Sequence, residues 1–262
     1  MQLPGHSQAG VPQGLERIYP GESLEGDDRD ALRSFYQRAA ALVGGEAVII
    51  QEWIPGGGEA QFSYAGLWNR GEAAVSLVAR RTRQHPIEFG RSSTFVETVE
   101  QDQVEELACR FLKSLDYTGV VEVEFRYDRR DRQYKLLDVN GRFWTWNGIG
   151  ALAGADVPYL AWRQALGQTV ASGRARTGVA WIQGSRDIIA AYQEFSRGAL
   201  KLSDYLAGLH KPMAFASFAL DDPLPAIVEL PAVAWYRFAK GRDQSAAIHH
   251  AEKHANILPA RR

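Results

Sequence analysis

The chain has 262 residues, 45% of them hydrophobic, and its 30 lysine and arginine residues almost balance 31 aspartate and glutamate residues. A chain of this length can bury one large core or two small ones. The net charge of −1 provides no general attraction to nucleic acid or to an acidic membrane, so we expect neither as a partner. The single cysteine, Cys109, excludes an internal disulfide framework and favours a cytoplasmic location, where thiols stay reduced.

The first 60 or so residues fall into three segments that differ in composition and hydrophobic pattern. Residues 1–26 are rich in glycine, proline and polar residues, which predicts a disordered or loosely ordered leader. A helical period follows over residues 27–43. Residues 47–54 are almost continuously apolar, as is typical of a strand buried on both faces, and the proline and glycines after them predict a loop.

Two more strands and a basic run come next. Residues 62–67 and 73–79 alternate as strands do. The basic run contains Arg81 and Arg83, which share one face of an extended chain. Such a run either forms a solvated strand end or binds a phosphate or carboxylate between its guanidinium groups. Residues 90–94 are expected to form a polar loop.

Helical patterns surround the central part of the chain. Residues 98–101 resemble a capping box in front of an amphipathic helix, and Asp156 is expected to cap another. The aromatic residues Phe143, Trp144 and Trp146 are expected to pack the lobe and close over the site rather than to stack on a base. We interpret residues 170–262 as an α-rich extension that also contains one short strand.

The strongest local pattern is a hairpin. Residues 119–128 and 134–140 both alternate with period two and are separated by a charged turn. We expect Asp128 to pair with Tyr134 across the turn. The alternation of the second strand places four side chains on one face: Tyr134, Leu136, Asp138 and Asn140.

In that register the hairpin gathers acidic side chains. Glu124 lies opposite Asp138, and Glu122 lies opposite Asn140. Two unpaired carboxylates on directly opposite residues repel each other, so the pattern favours a cation between them. Carboxylate and amide oxygens without thiolate or imidazole suit Mg²⁺, which usually brings phosphates, and Arg142 could bind these. A hairpin with one wet, charged face is the simpler interpretation.

An acidic residue on one strand, followed on the next by an acidic-X-Asn-X-Arg motif, resembles the catalytic lobe of the ATP-grasp superfamily. Residues 48–59 resemble the strand and hinge that hold adenine and ribose in that family. The likeness covers roughly residues 28–167. It is nearest to predicted ATP-grasp ligases akin to the carbamoyl-phosphate synthase large subunit and to D-aspartate ligase.

The resemblance implies a fold and a domain division. The expected class is α+β, with an antiparallel sheet and packed helices. Residues 27–169 would form the catalytic lobe and residues 170–262 the extension. Because residues 1–26 resemble neither the preceding domain nor the lysine-bearing lobe of such enzymes, we expect the N-terminal lobe to be lacking.

The resemblance also implies roles for individual residues. One or two Mg²⁺ ions, with Mn²⁺ as an alternative, would be held by Glu124, Asp138 and Asn140. Arg142 would be the catalytic residue that stabilises the transferring phosphoryl group. ATP would be bound by a further set: Gln51, Glu52, Trp53, Ile54, Glu59 and Arg81.

The implied activity is ATP- and magnesium-dependent ligation of a small-molecule carboxylate to an amine or a thiol through an acyl phosphate, and a homodimer is an open alternative to a monomer. The competing hypothesis is a truncated, catalytically silent nucleotide-binding or interaction module. A third hypothesis is a metal-dependent phosphohydrolase that uses the same carboxylates.

Overall fold

The computed structural model describes residues 29–44, 46, 48, 50, 52–85, 87, 92–229, 231–233 and 235. The chain forms two compact units, residues 1–53 and residues 54–262. In the first unit, helix α1 spans Arg29–Val43, as predicted. The predicted leader and the start of the predicted helix lie outside the described residues.

The strand predicted over residues 47–54 is not found in the described part of that region. Residues 48, 50 and 52–54 have no regular secondary structure, and residues 47, 49 and 51 lie outside the described residues. Ile50 and Trp53 are exposed rather than buried. An apolar run indicates that burial of the segment is favourable. A strand also needs a neighbouring strand for its backbone hydrogen bonds, and composition does not reveal whether one is present.

The second unit is built on a sheet. Its strands are β1 Gln61–Asn69, β2 Glu72–His85, β3 Ser92–Thr98, β4 Gly119–Asp128, β5 Gln133–Asn140, β6 Gly173–Arg174, β7 Ala180–Ile182 and β8 Met213–Phe215. Its helices include α2 Asp102–Ser114, α3 Ile149–Ala153, α4 Val157–Ala165, α5 Gly184–Ser196 and α6 Leu202–Leu209. A short 3-10 helix, Gly58–Ala60, precedes β1.

Within the described residues these strands form one eight-stranded sheet in the order β5-β4-β1-β2-β3-β7-β8, with β6 beside β2. Neighbours are antiparallel, except that β6 runs parallel to β2 and β8 runs parallel to β7. Helices α2 and α4 pack on β1, and α5 packs on β2. The predicted α+β class, a largely antiparallel sheet with packed helices, is confirmed.

The pleat of the sheet separates two cores, because successive side chains of a strand point to opposite faces. On one face, Tyr64 and Val123 pack with the apolar side of α2. On the other face, Leu77 packs with Trp144 and Trp146, and the rings of these two tryptophans lie 5.4 Å apart. The two tryptophans therefore belong to the core, as predicted, whereas the same prediction is wrong for Phe143, which is exposed.

Strand β2 is longer than the sequence pattern indicated. It continues to His85, so that Arg81 and Arg83 lie inside the sheet and are only 6% and 2% exposed. The interpretation of this basic run as a solvated strand end is therefore wrong. The guanidinium groups instead have acidic partners on other elements, the partly buried Glu124 for Arg81 and the buried Asp187 for Arg83, which a local pattern of charges cannot reveal.

Strand β3 occupies a region where a loop and a capping box were expected. Residues 92–94 of the predicted polar loop are in the strand, and so is Thr98. The hydroxyl of Thr98 donates to the carbonyl of Val179 at 3.2 Å, and α2 begins only at Asp102. The capping box is thus wrong, because a partner 81 residues away uses the hydroxyl that a cap would need.

The hairpin of β4 and β5 forms where it was predicted. Glu124 pairs with Asp138, as expected, but Asp128 pairs with Gln133 and not with Tyr134. The predicted register is therefore right at the open end of the hairpin and wrong by one residue at the turn. The two halves differ because the ladder contains a bulge.

The bulge adds one residue to β5. Phe125 pairs with Leu136 while the next pair along uses position 138, so Leu137 is the extra residue. Tyr134 consequently lies on the same face as Phe125, where its ring meets that of Phe62 edge to face at 5.6 Å. The prediction that Tyr134 and Leu136 share a face with the acidic part of the strand is wrong, since a bulge reverses the alternation.

The region after residue 170 contains the short helices α5 and α6 and the short strand β7, all close to their predicted positions. Strands β6, β7 and β8 join the same sheet as the hairpin. The predicted domain boundaries at residues 26 and 169 stay predictions. Among the helices of the described residues, none combines the length and the apolarity needed to cross a bilayer.

Candidate functional site

The candidate site lies on the face of the hairpin opposite α2. Val121, Val123 and Phe125 of β4 point into the core that contains α2, so Glu122 and Glu124 point to the other face. Glu122 pairs with Asn140 across the hairpin, as predicted. The register of the ladder therefore determines which polar side chains of β5 meet the two glutamates.

Asn140 links the two glutamates. Its Nδ2 donates to Glu122 Oε2 at 3.4 Å and to Glu124 Oε1 at 3.3 Å. The amide nitrogen, and not the amide oxygen, thus faces the carboxylates in this structure. An amide carries both a donor and an acceptor, so a half-turn of the group would present oxygen to a cation in the same place.

Glu124 has two further partners from the centre of the sheet. Gln61 Nε2 donates to Glu124 Oε2 at 3.0 Å, and Arg81 Nη1 forms an ion pair with the same oxygen. Arg81 is held from its other side by Ser93, whose Oγ accepts from Nε at 2.5 Å. The structure therefore places Arg81 in the acidic cluster, in contact with a carboxylate.

Glu122 is the most buried acid of this group, with 3% of its surface exposed. Burial raises its pKa to about 7, the neighbouring Glu124 carboxylate adds to the rise, and Arg81 opposes it. Its Oε1 atom makes no close hydrogen bond, although the side chains of Ser63 and Trp146 interact with the carboxylate and oppose the rise in its pKa. A buried carboxylate oxygen without a close hydrogen bond is unfavourable, so this atom calls for a proton or a cation.

The side chains of Asp138 and Arg142 are exposed and form hydrogen bonds to neighbouring backbone groups. Asp138 stands opposite Glu124 in the ladder, but it is exposed and its carboxylate accepts from the backbone N–H of Val139 at 2.9 Å. Arg142 is also exposed, and its Nη1 donates to the carbonyl of Phe143 at 3.3 Å. Both side chains must change conformation to act beside Glu124.

The donor set fits a hard cation in chemistry, although the side chains do not surround one. Among the described residues, no three His, Cys, Asp or Glu side chains are placed to hold a metal ion together. Glu122, Glu124 and Asn140 nevertheless present carboxylate and amide groups without thiolate or imidazole, which is the ligand set that Mg²⁺ prefers. The Glu122 oxygen that makes no close hydrogen bond is the observation that favours a cation here.

The predicted nucleotide-binding residues fall into three groups. Gln51 lies outside the described residues, and Glu52 and Trp53 belong to the first unit. In the second unit Ile54 is buried, whereas Glu59 is largely exposed and accepts from Arg129 Nη2 at 3.4 Å. These assignments stay predictions.

The glycine loop before β1 is fixed to the sheet. The carbonyl of Gly56 accepts from the Arg126 guanidinium on β4. Gly58 lies so close to β2 that a Cβ atom there would meet the carbonyl oxygens of Arg81 and Thr82 at 2.8 and 2.5 Å. The loop that leads to Glu59 thus packs directly on the strand that carries Arg81.

Three residues of the cluster have no role in the sequence-based assignment. The predicted register places Glu122 opposite Asn140, and alternation along β4 puts Glu122 and Glu124 on one face. The signal for Glu122 was therefore present, yet only Glu124 is expected to bind the metal. Gln61 has no signal beyond its position at the start of a strand. Ser93 falls in a region where the pattern predicts a loop.

One family of known proteins matches the chain. Residues 66–185 match a family described as an ATP-grasp in the biosynthetic pathway with Ter operon. The match includes Arg81 and the whole acidic hairpin, and it ends inside α5. No curated protein sequence matches the chain significantly.

Several solved structures show partial similarity. Biotin carboxylase from Campylobacter jejuni, in a complex with β-γ-ATP, matches with 14% identity and a TM-score of 0.45 over 58% of this chain and 34% of that one. L-amino acid ligase from Bacillus licheniformis matches with 13% identity and a TM-score of 0.44 over 59% and 42%. The ATPase subunit of phosphoribosylaminoimidazole carboxylase from Aquifex aeolicus matches with 20% identity and a TM-score of 0.35 over 44% and 36%. The chain thus covers well under two thirds of the length of each.

Proposed function

We propose that this protein is an ATP- and magnesium-dependent ligase that joins a small-molecule carboxylate to an amine or a thiol, because residues 66–185 match a family described as an ATP-grasp in the biosynthetic pathway with Ter operon. The substrate carboxylate attacks the γ-phosphorus of ATP, and the bond to ADP breaks. The resulting acyl phosphate is then attacked at its carbonyl carbon by the amine or thiol, which loses a proton, and inorganic phosphate leaves. Energy from ATP is thereby used to form an amide or thioester bond.

The observation that carries the proposal is the convergence of Glu122, Glu124 and Asn140 on one face of the hairpin, beside a buried arginine. When bound, a divalent cation supplies positive charge that neutralises the phosphates. Glu124 and Asn140 would hold it, with Asp138 brought in by a rotamer change. Arg142, which is exposed at the end of the hairpin, would bind the transferring phosphoryl group.

The chain itself contributes mainly positioning and electrostatics in this reaction, since phosphoryl and acyl transfer depend on orienting charged reactants. The core that contains Trp144 and Trp146 lies on the same face of the sheet as Glu122 and Glu124, and it holds the segment that follows Asn140. Glu59 would accept the ribose hydroxyls through its two carboxylate oxygens.

A silent nucleotide-binding module is the second candidate, and one observation favours it. Asp138 accepts a hydrogen bond from the adjacent backbone amide and does not converge on Glu124. In such a protein ATP would bind without turnover.

Calorimetric titration with ATP, with and without Mg²⁺, tests the proposal. We expect magnesium-dependent binding that is lost in the Glu124→Ala/Asp138→Ala double variant and kept in Asp131→Ala, which removes an exposed acid in the hairpin turn. Phosphate release that requires both a carboxylic acid and an amine or thiol would then identify the ligase. Binding without release under any acid and amine combination favours the silent module, and phosphate release without either favours a phosphohydrolase.

A further inference from the structure

The carboxylate of Glu124 is already occupied by donors from the protein. Oε2 accepts from Gln61 and Arg81, and Oε1 accepts from Asn140. An ionised carboxylate offers about four lone-pair positions in all. Three of these positions are taken, so a cation that approaches Oε2, or that binds both oxygens, must take the place of at least one of these donors.

The three donors differ in what they can become. Asn140 and Gln61 carry amides, and each can turn its oxygen toward a cation without leaving its position. The guanidinium of Arg81 has only N–H donors, so it can never become a ligand of a cation. A divalent cation next to Glu124 would repel the guanidinium, and that repulsion is strong at a site that is almost removed from water.

The surroundings of Arg81 determine how the side chain responds when it is displaced. The side chain alone is 7% exposed, and it keeps a second contact through Nε to Ser93. A nearly buried guanidinium that has lost its carboxylate partner is unfavourable until another anion replaces it. Loss of the Glu124 contact therefore prepares Arg81 to bind an oxyanion.

We propose that Arg81 is a resident counter-ion of Glu124 that a divalent cation displaces, and that the released guanidinium then binds a phosphate group at the site. This inference rests on the proposed function, because it requires a metal at Glu124. It makes the two ligands interdependent: metal creates the anion site, and by thermodynamic linkage a bound phosphate favours the metal.

The first test measures Mn²⁺ alone, by the electron paramagnetic resonance signal of free Mn²⁺, on the full chain. Arg81→Gln removes both the competing partner and the repelling charge, so we expect it to bind Mn²⁺ about tenfold more tightly or better than the unaltered protein. Arg80→Gln is the matched control, since Arg80 is the adjacent residue, carries the same charge and pairs with Glu97. Its Mn²⁺ affinity should stay within about twofold of the original.

A second test needs no variant and so does not depend on how Arg81→Gln folds. Arginine-specific dicarbonyl modification, followed by peptide mass spectrometry, reports how accessible each guanidinium is. Arg81 should react slowly without metal and several-fold faster with saturating Mn²⁺, while Arg80 reacts at one rate in both conditions. Inorganic phosphate added with the Mn²⁺ should protect Arg81 again.

The outcomes separate this inference from the function it rests on. Mn²⁺ binding to the unaltered protein that is equal or weaker in Arg81→Gln, or an Arg81 reaction rate that ignores Mn²⁺, overturns the displacement and leaves the ligase proposal standing. Absence of Mn²⁺ binding in the unaltered protein and in both variants overturns the displacement and the metal site together.

Discussion

Arg83 and Asp187, which are 104 positions apart in the chain, form a buried ion pair with two hydrogen bonds of 2.8 Å each. The carboxylate also accepts from the hydroxyl of Thr94 at 2.9 Å, and the guanidinium lies over the rings of Phe95 and Tyr205. The pair joins β2 to α5. It explains why Arg83 is not available as an anion-binding partner of Arg81.

Loss of Asp187 should destabilise the fold strongly, because it leaves the Arg83 charge buried without a counter-ion. We expect Asp187→Ala to lower the free energy of unfolding by about 3 to 5 kcal/mol. Urea denaturation followed by circular dichroism measures this. Asp131→Ala, which breaks an exposed ion pair with Lys135, should cost no more than about 1 kcal/mol. Equal effects of the two changes would show that the Arg83 pair does not anchor α5 to the sheet.

Glu122 should make stability depend on pH. Its pKa is raised to about 7 in the folded protein, against 4.5 for the free side chain. The folded state therefore favours the protonated form. The stability that this provides is fully present below about pH 4.5 and is lost as the pH rises to 7, after which it stays lost.

Glu122→Gln keeps the shape of the side chain and removes the titration. In the presence of EDTA we expect it to stabilise the protein at pH 8 by up to about 3 kcal/mol and to change little at pH 4.5. Urea unfolding at the two pH values provides the comparison, with the exposed Glu72→Gln on β2 as control. A Glu122→Gln variant that is less stable than the original at pH 8 would contradict the raised pKa.

Trp144 anchors the segment that follows the acidic-X-Asn-X-Arg motif in the core. It is 2% exposed and packs with Trp146 and Ile149 in one core. Trp144→Ala should cost about 3 to 5 kcal/mol of unfolding free energy, because it removes a large buried ring and leaves a cavity. The adjacent Phe143 is 44% exposed, and Phe143→Ala should cost less than about 1 kcal/mol. Chemical denaturation of both variants shows whether the loss of stability follows the burial of the side chain or only its position in the sequence.

Gly58 should not tolerate a larger residue. A Cβ atom there would meet two carbonyl oxygens of β2 at 2.5 and 2.8 Å, so the backbone of the strand or of the loop must shift to make room. We expect Gly58→Ala to destabilise the protein by about 1 to 3 kcal/mol. Gly148→Ala is the matched control, since a Cβ atom there meets nothing within 4 Å. Thermal melting of both should show a lower midpoint for the Gly58 variant alone.

The hairpin shows how far a sequence pattern can predict a site. The pairing of Glu124 with Asp138 was predicted correctly from a register that is wrong at the turn. A bulge at Leu137 absorbs the difference of one residue. Alternation of apolar residues identifies strands and their faces, but it does not reveal a bulge, because Leu136 and Leu137 are chemically alike.

Partners from distant parts of the chain explain the remaining differences. The sequence indicates that Arg81 can bind an anion, yet which anion it binds depends on β4 lying two strands away from β2. The residues that follow Thr98 resemble a helix cap. The Thr98 hydroxyl can donate to the Val179 carbonyl only because β7 pairs with β3. Such contacts follow from topology, which local propensities do not specify.

The place of β7 in the sheet has a consequence for shortened forms of the chain. β3 is bonded on one side to β2 and on the other to β7, through pairs that include Phe95 with Ile182. A chain ended at residue 169 would leave the outer edge of β3 without its partner and uncover an apolar strand. Exposed edges of this kind recruit strands from other molecules, so such a fragment should aggregate even if every residue of the acidic hairpin is present.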